Sequence, residues 1–171
     1  YLDTPTVSVG AGGGITARLY YEIESDAGAT VAGSCTDGWD VANIRISKDG
    51  GSTWSLLEDS SHPYHFDCGY GWIYNDDQYE LGGSLNHLAK GWGGSSNDWV
   101  DFSADLSAYS GEDIIIRFAF GSDPEWSTVD DDLLTGFQVD EISVFDDSGS
   151  LFSNNGNDIL TMSASGEIWI N

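Results

Sequence analysis

The sequence predicts an all-β protein, an antiparallel β-sandwich, on three observations. Apolar residues alternate with a period of two in several short runs, Gly-containing turn signals separate those runs, and no window carries the apolar repeat of a helix. A period of two sends successive side chains to opposite faces, so each run presents one apolar face that a second sheet must cover. The first run is Ile15–Ile23, with Ile15, Ala17, Leu19, Tyr21 and Ile23 on one face. Val41–Ser47 follows and ends at the turn signal Asp49-Gly50-Gly51. Residues Val100–Leu106 lead to Ser110-Gly111, and then Ile114, Ile116, Phe118 and Phe120 share a face with Arg117 opposite. Phe137–Phe145 ends at Ser148-Gly149, and a Gly/Asn/Ser-rich connection leads to a C-terminal hairpin over 157–171, turning at Ser165-Gly166. The whole chain, 1–171, reads as one domain. Its exception to the pattern is the stretch 58–98, rich in Gly, Asp, Asn, Ser and aromatics, which is too long for a bare loop and predicts irregular hairpins.

Charge narrows the function. Twenty-nine Asp and Glu face five Lys and Arg, a formal net charge of −24. Such a surface repels phosphates, which excludes nucleic acid as a partner, and no apolar run is long enough for membrane insertion. Self-repulsion on this scale destabilises the compact state unless divalent cations bind or high salt screens it. The acids cluster with Asn and Gly, the oxygen-rich composition that suits calcium; an acidic surface adapted to salt is the simpler alternative. Cys35 and Cys68 are the two cysteines and lack zinc-motif spacing. A disulfide between them, closing a loop of about 33 residues, would contribute roughly 3–4 kcal/mol and implies an extracellular or cell-surface setting.

Candidate metal ligands follow from strand phase. Asp40 shares its face with Ala42, Ile44 and Ile46, and Asp140 with Ile142 and Val144, while Arg45 and Arg117 point the other way. Carboxylates at the inward edge of a core face need compensation, which predicts calcium held by Asp140 and Asp40 with help from Glu24, Asp26 or Asp37. Asp130-Asp131-Asp132 and Asp146-Asp147 with Asn154, Asn155 and Asp158 are weaker candidates, since acidic runs usually face solvent. His62 and His65 with Asp67 or Cys68 would make a sparse zinc set; packed or exposed loop histidines are the simpler reading. No nucleophile-elbow sequence supports a catalytic serine, and the reading is non-enzymatic. Aromatics concentrate in the long insertion. Trp72, Tyr74, Tyr79 and Trp92 are candidates to stack on sugar rings, against the simpler reading that such rings pack beneath the loop.

Four motifs add a resemblance. Ser47-Lys48-Asp49-Gly50-Gly51-Ser52-Thr53-Trp54 is similar to a hairpin common in secreted bacterial sandwich modules. With Trp92-Gly93-Gly94-Ser95-Ser96 before Trp99-Val100, then Asp105-Leu106-Ser107-Ala108-Tyr109-Ser110-Gly111, Ile116-Arg117-Phe118 and Gly136–Ile142, the ordered series over about residues 5–145 resembles the MAM-like domain. That domain accompanies immune-inhibitor-A-type secreted peptidases and is related to cleaved-adhesin modules. The resemblance implies a jelly-roll sandwich with a calcium ion and no catalytic residues of its own. Here the family's additional N-terminal strand is missing and the C-terminal hairpin is extra, so the tail, or another molecule, is expected to fill that place. The expected function is adhesion or anchoring to a glycan or protein surface ligand. Two alternatives are a carbohydrate-binding module of a secreted enzyme, and a self-assembling filament or surface-layer subunit joined to its own copies by strand donation and metal bridging.

Overall fold

The computed structural model describes residues 1–29, 37–58, 60–69, 89–122, 126, 130–154, 160–162 and 168–170. Their strands are β1 (Leu2–Asp3), β2 (Val7–Ser8), β3 (Gly14–Glu22), β4 (Asp37–Gly38), β5 (Val41–Ser47), β6 (Ser55–Leu56) and β7 (Phe66–Gly69), followed by β8 (Ala89–Gly91), β9 (Val100–Asp105), β10 (Asp113–Gly121), β11 (Gly136–Asp146), β12 (Gly149–Asn154), β13 (Leu160–Met162) and β14 (Ile168–Ile170). Among the described residues the sole helical element is a 3-10 turn, Ser107–Tyr109. No helix there is long and apolar enough to cross a membrane.

The protein is an all-β sandwich. One sheet runs β1–β10–β5–β6, with β2 also on β10, and the other runs β14–β13–β11–β3–β9, with β12 also on β11. Alternation explains why they face each other. Ile15, Ala17, Leu19 and Tyr21 of β3 are buried against Ile44 and Ile46 of β5 and Ile114, Ile116 and Phe118 of β10, in one apolar cluster with Phe102, Phe137, Val139, Ile142 and Val144. The pairings are nested: β3 with β11, β5 with β10, and β7 with β8 are each antiparallel. The hairpin expected at the C-terminus is β13–β14, and β13 lies against Phe137–Val139 of β11. Strand β12 occupies the rest of that edge, where the sequence reads as a Gly/Asn/Ser-rich connection.

Strand β5 departs from simple alternation, because all seven of its residues are buried. Its second face is covered by the small sheet β4–β7–β8, which packs Phe66 against Val41 and Ala119. Gly69 permits the close approach, since a Cβ there would lie 2.5 Å from Val41 Cβ. Arg45 and Arg117 do point away from the main core, as the phase requires, but both are themselves buried, Arg117 against the rings of Tyr1 and Trp54.

The phase expected for Asp140 is overturned. Glu141 has φ +50°, and the β3–β11 register shifts between Asp140 and Ser143. This bulge inserts one residue, so Phe137 and Val139 before it and Ile142 and Val144 after it all face the core. Asp140 therefore sits with Gln138 on the outer face, half-buried, opposite Arg18.

The Asp49-Gly50-Gly51 turn is held by its first residue. Asp49 accepts hydrogen bonds from Thr53 N at 2.8 Å, Thr53 Oγ1 at 2.7 Å and Ser47 Oγ at 2.8 Å. These bonds, those from Thr53 foremost, lower its pKa from 3.8 to about 2. A depressed carboxylate stabilises above its unfolded pKa and loses that contribution as pH falls through the folded one. The stability gap between wild type and Asp49→Ala is therefore expected to be constant above about pH 5 and to close between pH 3.8 and about 2. Urea titrations of both proteins across that range measure it.

Candidate functional site

A cleft of about 500 Å³ opens at the end of the sandwich where β3 finishes. Glu22, Ile23, Glu24 and Ser25 form one wall, Gly94 and Ser95 another, and Trp39, Trp126, Asp131 and Leu134 close it. The position follows from the backbone: Ile23 N donates to Gly94 O at 3.0 Å and Gly94 N to Glu24 O at 2.9 Å, so the chain leaving β3 is zipped to the segment after β8. Glu22 is held by Ser95 Oγ at 2.5 Å and by Tyr20 OH at 3.2 Å. Asp40, beside Trp39, is 2% exposed, and its Oδ2 accepts Glu24 N at 3.4 Å. The outcome is an acidic cleft with two indoles, one of which, Trp126, is 56% exposed at φ +55°.

The structure brings some of the expected calcium ligands together and separates others. Asp40 and Glu24 are neighbours, and Asp26 follows in the turn after β3, where Ala29 N donates to its carbonyl. Asp37 lies in β4 at the start of the same strand entry. Asp140 does not join them: Gly136 pairs with Glu22 but Asp140 with Arg18, four residues or about 13 Å further along the sheet. Among the described residues, no three His, Cys, Asp or Glu side chains converge tightly enough to hold a metal ion by themselves. Asp130 and Asp132 are exposed, whereas Asp131 lines the cleft. Asp146 is committed to the β11–β12 turn, accepting from Ser148 and Gly10, which lowers its pKa. Of the basic side chains, Arg18, Lys48, Lys90 and Arg117 pair with Asp101, Glu112, Glu58 and Asp3, all outside the cleft.

The aromatics divide differently from expectation. Trp92 is fully buried and no sugar can stack on it. Its backbone pairs with Ala42 in both directions, at 2.9 and 3.0 Å, which drives the indole into the core; Nε1 donates to Pro63 O at 3.0 Å. Around it pack Tyr64, His62, Phe102, Tyr21 and Phe137, with ring centres 4.7–6.3 Å away. Tyr64 is locked in turn by bonds to Ile44 and Leu57, and burial pushes its hydroxyl pKa up. Trp72, Tyr74, Tyr79 and Cys35 lie outside the described residues. His62 and His65 do not turn toward Asp67 or Cys68; both Nε2 atoms approach Tyr21 OH, at 3.0 and 3.4 Å.

Trp39, Trp126 and Glu22 were not singled out by the sequence, and Asp131 entered only as part of the weaker acidic run 130–132. Trp39 had a signal, since it abuts Asp40, but Trp126 and Asp131 are brought in by a connection without periodicity. No family model matches the chain, and no curated protein matches it.

Proposed function

We propose that this chain is a non-catalytic, extracellular, calcium-stabilised module of jelly-roll type that adheres to a surface ligand through the cleft at the end of β3. The single observation that carries the reading is that cleft, in which Glu22, Glu24 and Asp131 line a concavity with two indoles and buried Asp40 alongside. Carboxylates gathered at the end of a sandwich, in a chain of net charge −24, are the oxygen donors a hard divalent cation takes up. The ligand set is Asp40, Glu24 and Asp26 with Asp37, completed by backbone carbonyls. Nested strand pairing supports the jelly-roll form. The Cys35–Cys68 disulfide draws support from register: Asp37 pairs with Cys68, and Cys35 is two residues away, within about 7 Å along the chain.

A specific observation favours carbohydrate as the ligand. Trp39 and Trp126 line the cleft beside carboxylates, the pairing of apolar ring faces with hydrogen-bond acceptors that sugars require. The expected result is saturable retention on immobilised polysaccharides in calcium, lost in Trp126→Ala while the melting temperature stays within about 1–2 °C, as for an exposed side chain. Retention that survives this substitution and Trp39→Ala removes the cleft from the account.

A further inference from the structure

We infer that Tyr21, His62 and His65 form a second metal site, selective for a late first-row transition ion and separate from the calcium cleft. The three rings surround one point. Their centres form a nearly equilateral triangle with sides of 6.2, 5.9 and 6.0 Å. Their polar atoms point inward, with Tyr21 Oη 3.0 Å from His62 Nε2 and 3.4 Å from His65 Nε2. Tetrahedral ligands with bonds of about 2.0–2.1 Å stand about 3.3 Å apart, so both separations match those of donors sharing one ion.

The surroundings fit. Tyr21 is 1% exposed and its ring is stacked near-parallel to buried Trp92, at 11°, so the oxygen is fixed by the core. His62 is half-buried, packed on Trp92 at 5.3 Å, while His65 is exposed. Pro63 stiffens the chain between the histidines, and Ser60 Oγ donates to His62 O at 3.0 Å. The site is thus anchored on one side and open to solvent on the other. Three protein donors with a position left for water or another small ligand is the pattern of an open metal site. Two imidazoles and a phenol suit copper, zinc or iron and not calcium, which takes oxygen ligands. Burial keeps the Tyr21 hydroxyl protonated, with its pKa pushed up to about 12, and burial with the neighbouring His65 lowers that of His62. A neutral His62 is already in the form that binds metal, and an ion at the centre releases the phenolic proton to solvent as it binds.

Copper(II) and zinc(II) are the probes, titrated into the full chain in millimolar calcium so that carboxylate sites are filled. The expected result is one tight equivalent of copper(II) with a visible phenolate-to-copper charge-transfer band, and competition by zinc(II). Tyr21→Phe is expected to abolish the band. His65→Ala, which removes an exposed side chain and leaves the fold intact, is expected to weaken binding on the order of tenfold to a hundredfold, at least the range that supporting groups of metal sites command. Absence of a saturable equivalent in wild type overturns the inference, leaving a hydrogen-bonded triad. So does undiminished copper binding in the folded His62→Ala/His65→Ala protein, which would assign the ion to His87 or the terminal amine.

Discussion

Trp92→Ala is expected to destabilise the protein by about 3–5 kcal/mol, the range for truncating a fully buried large aromatic. Three losses add up at this position. The indole leaves a cavity walled by Tyr21, Tyr64, Phe102 and Phe137, rings that are fixed by their own strands and cannot all collapse inward. Pro63 O loses its Nε1 donor. The histidine loop loses the surface on which His62 rests. For a chain of this length the fall in melting temperature is on the order of 10 °C. Trp126→Ala, at an exposed indole, is expected to cost almost nothing. Chemical denaturation of both variants measures the contrast, and equal costs would mean that the ring cluster is not the keystone of this end of the core.

The second large effect is expected at Asp3 and Arg117. Arg117 is 6% exposed, and its guanidinium carbon stands 3.5 Å from the ring centre of Tyr1 and 3.8 Å from that of Trp54. Asp3 closes the open edge with two bonds, from Nε at 2.7 Å and Nη2 at 2.9 Å. This clamp joins β1 to the DGG-x-TW hairpin across β10, so it fastens the N-terminal segment to the sheet. Asp3→Ala takes the carboxylate from a cation that stays buried, and the expected cost is about 2–3 kcal/mol. Arg117→Met removes the charge together with its need for a partner and refills the slot between the rings; the expected cost is about 1 kcal/mol or less. Asp3 is the less buried of the two, and its carboxylate then turns to water. The order of the two variants in urea is the test, and a larger loss in Arg117→Met would mean that stacking outweighs the ion pair.

Much of the fold was legible because strand alternation survives wherever one face meets the core and the other meets water. Ile15–Ile23, Val100–Leu106 and the Ile114–Phe120 run all reappear as β3, β9 and β10. Where that condition fails, the reading fails with it. Strand β5 has cover on both faces, supplied from the insertion, so Arg45 was placed on the correct face but its burial was not foreseen. The Glu141 bulge is one residue at positive φ without a glycine to announce it, and it reversed the face assigned to Asp140. Strand β12 was hidden by its polar composition, because its pairing rests on backbone bonds to β11.

The site was legible in part. Asp40 is reached through charge and phase, with Glu24 as a helper, and the Glu24 backbone N–H does donate to the Asp40 carboxylate. Trp92 is a candidate sugar platform by sequence, and the simpler reading, that the ring packs beneath the loop, is the one the structure shows; Gly91 and Gly93 flank it. Those glycines allow the backbone to press against Val41 and Phe66 while the indole turns inward. The approach of His62 and His65 to Tyr21 depends on a contact spanning 41 and 44 residues, which local pattern does not carry.

The central claim is that calcium at the β3 end holds this acidic sandwich together. Thermal unfolding in EDTA and in millimolar calcium, at matched ionic strength, tests it most directly, with Asp40→Asn as the paired variant. The account predicts a calcium-specific gain of about 2.7 kcal/mol at a hundred times the dissociation constant, a rise of roughly 5–10 °C, largely lost in Asp40→Asn. A melting temperature indifferent to calcium but raised by molar sodium chloride would contradict it, leaving the charge as a salt-adapted surface.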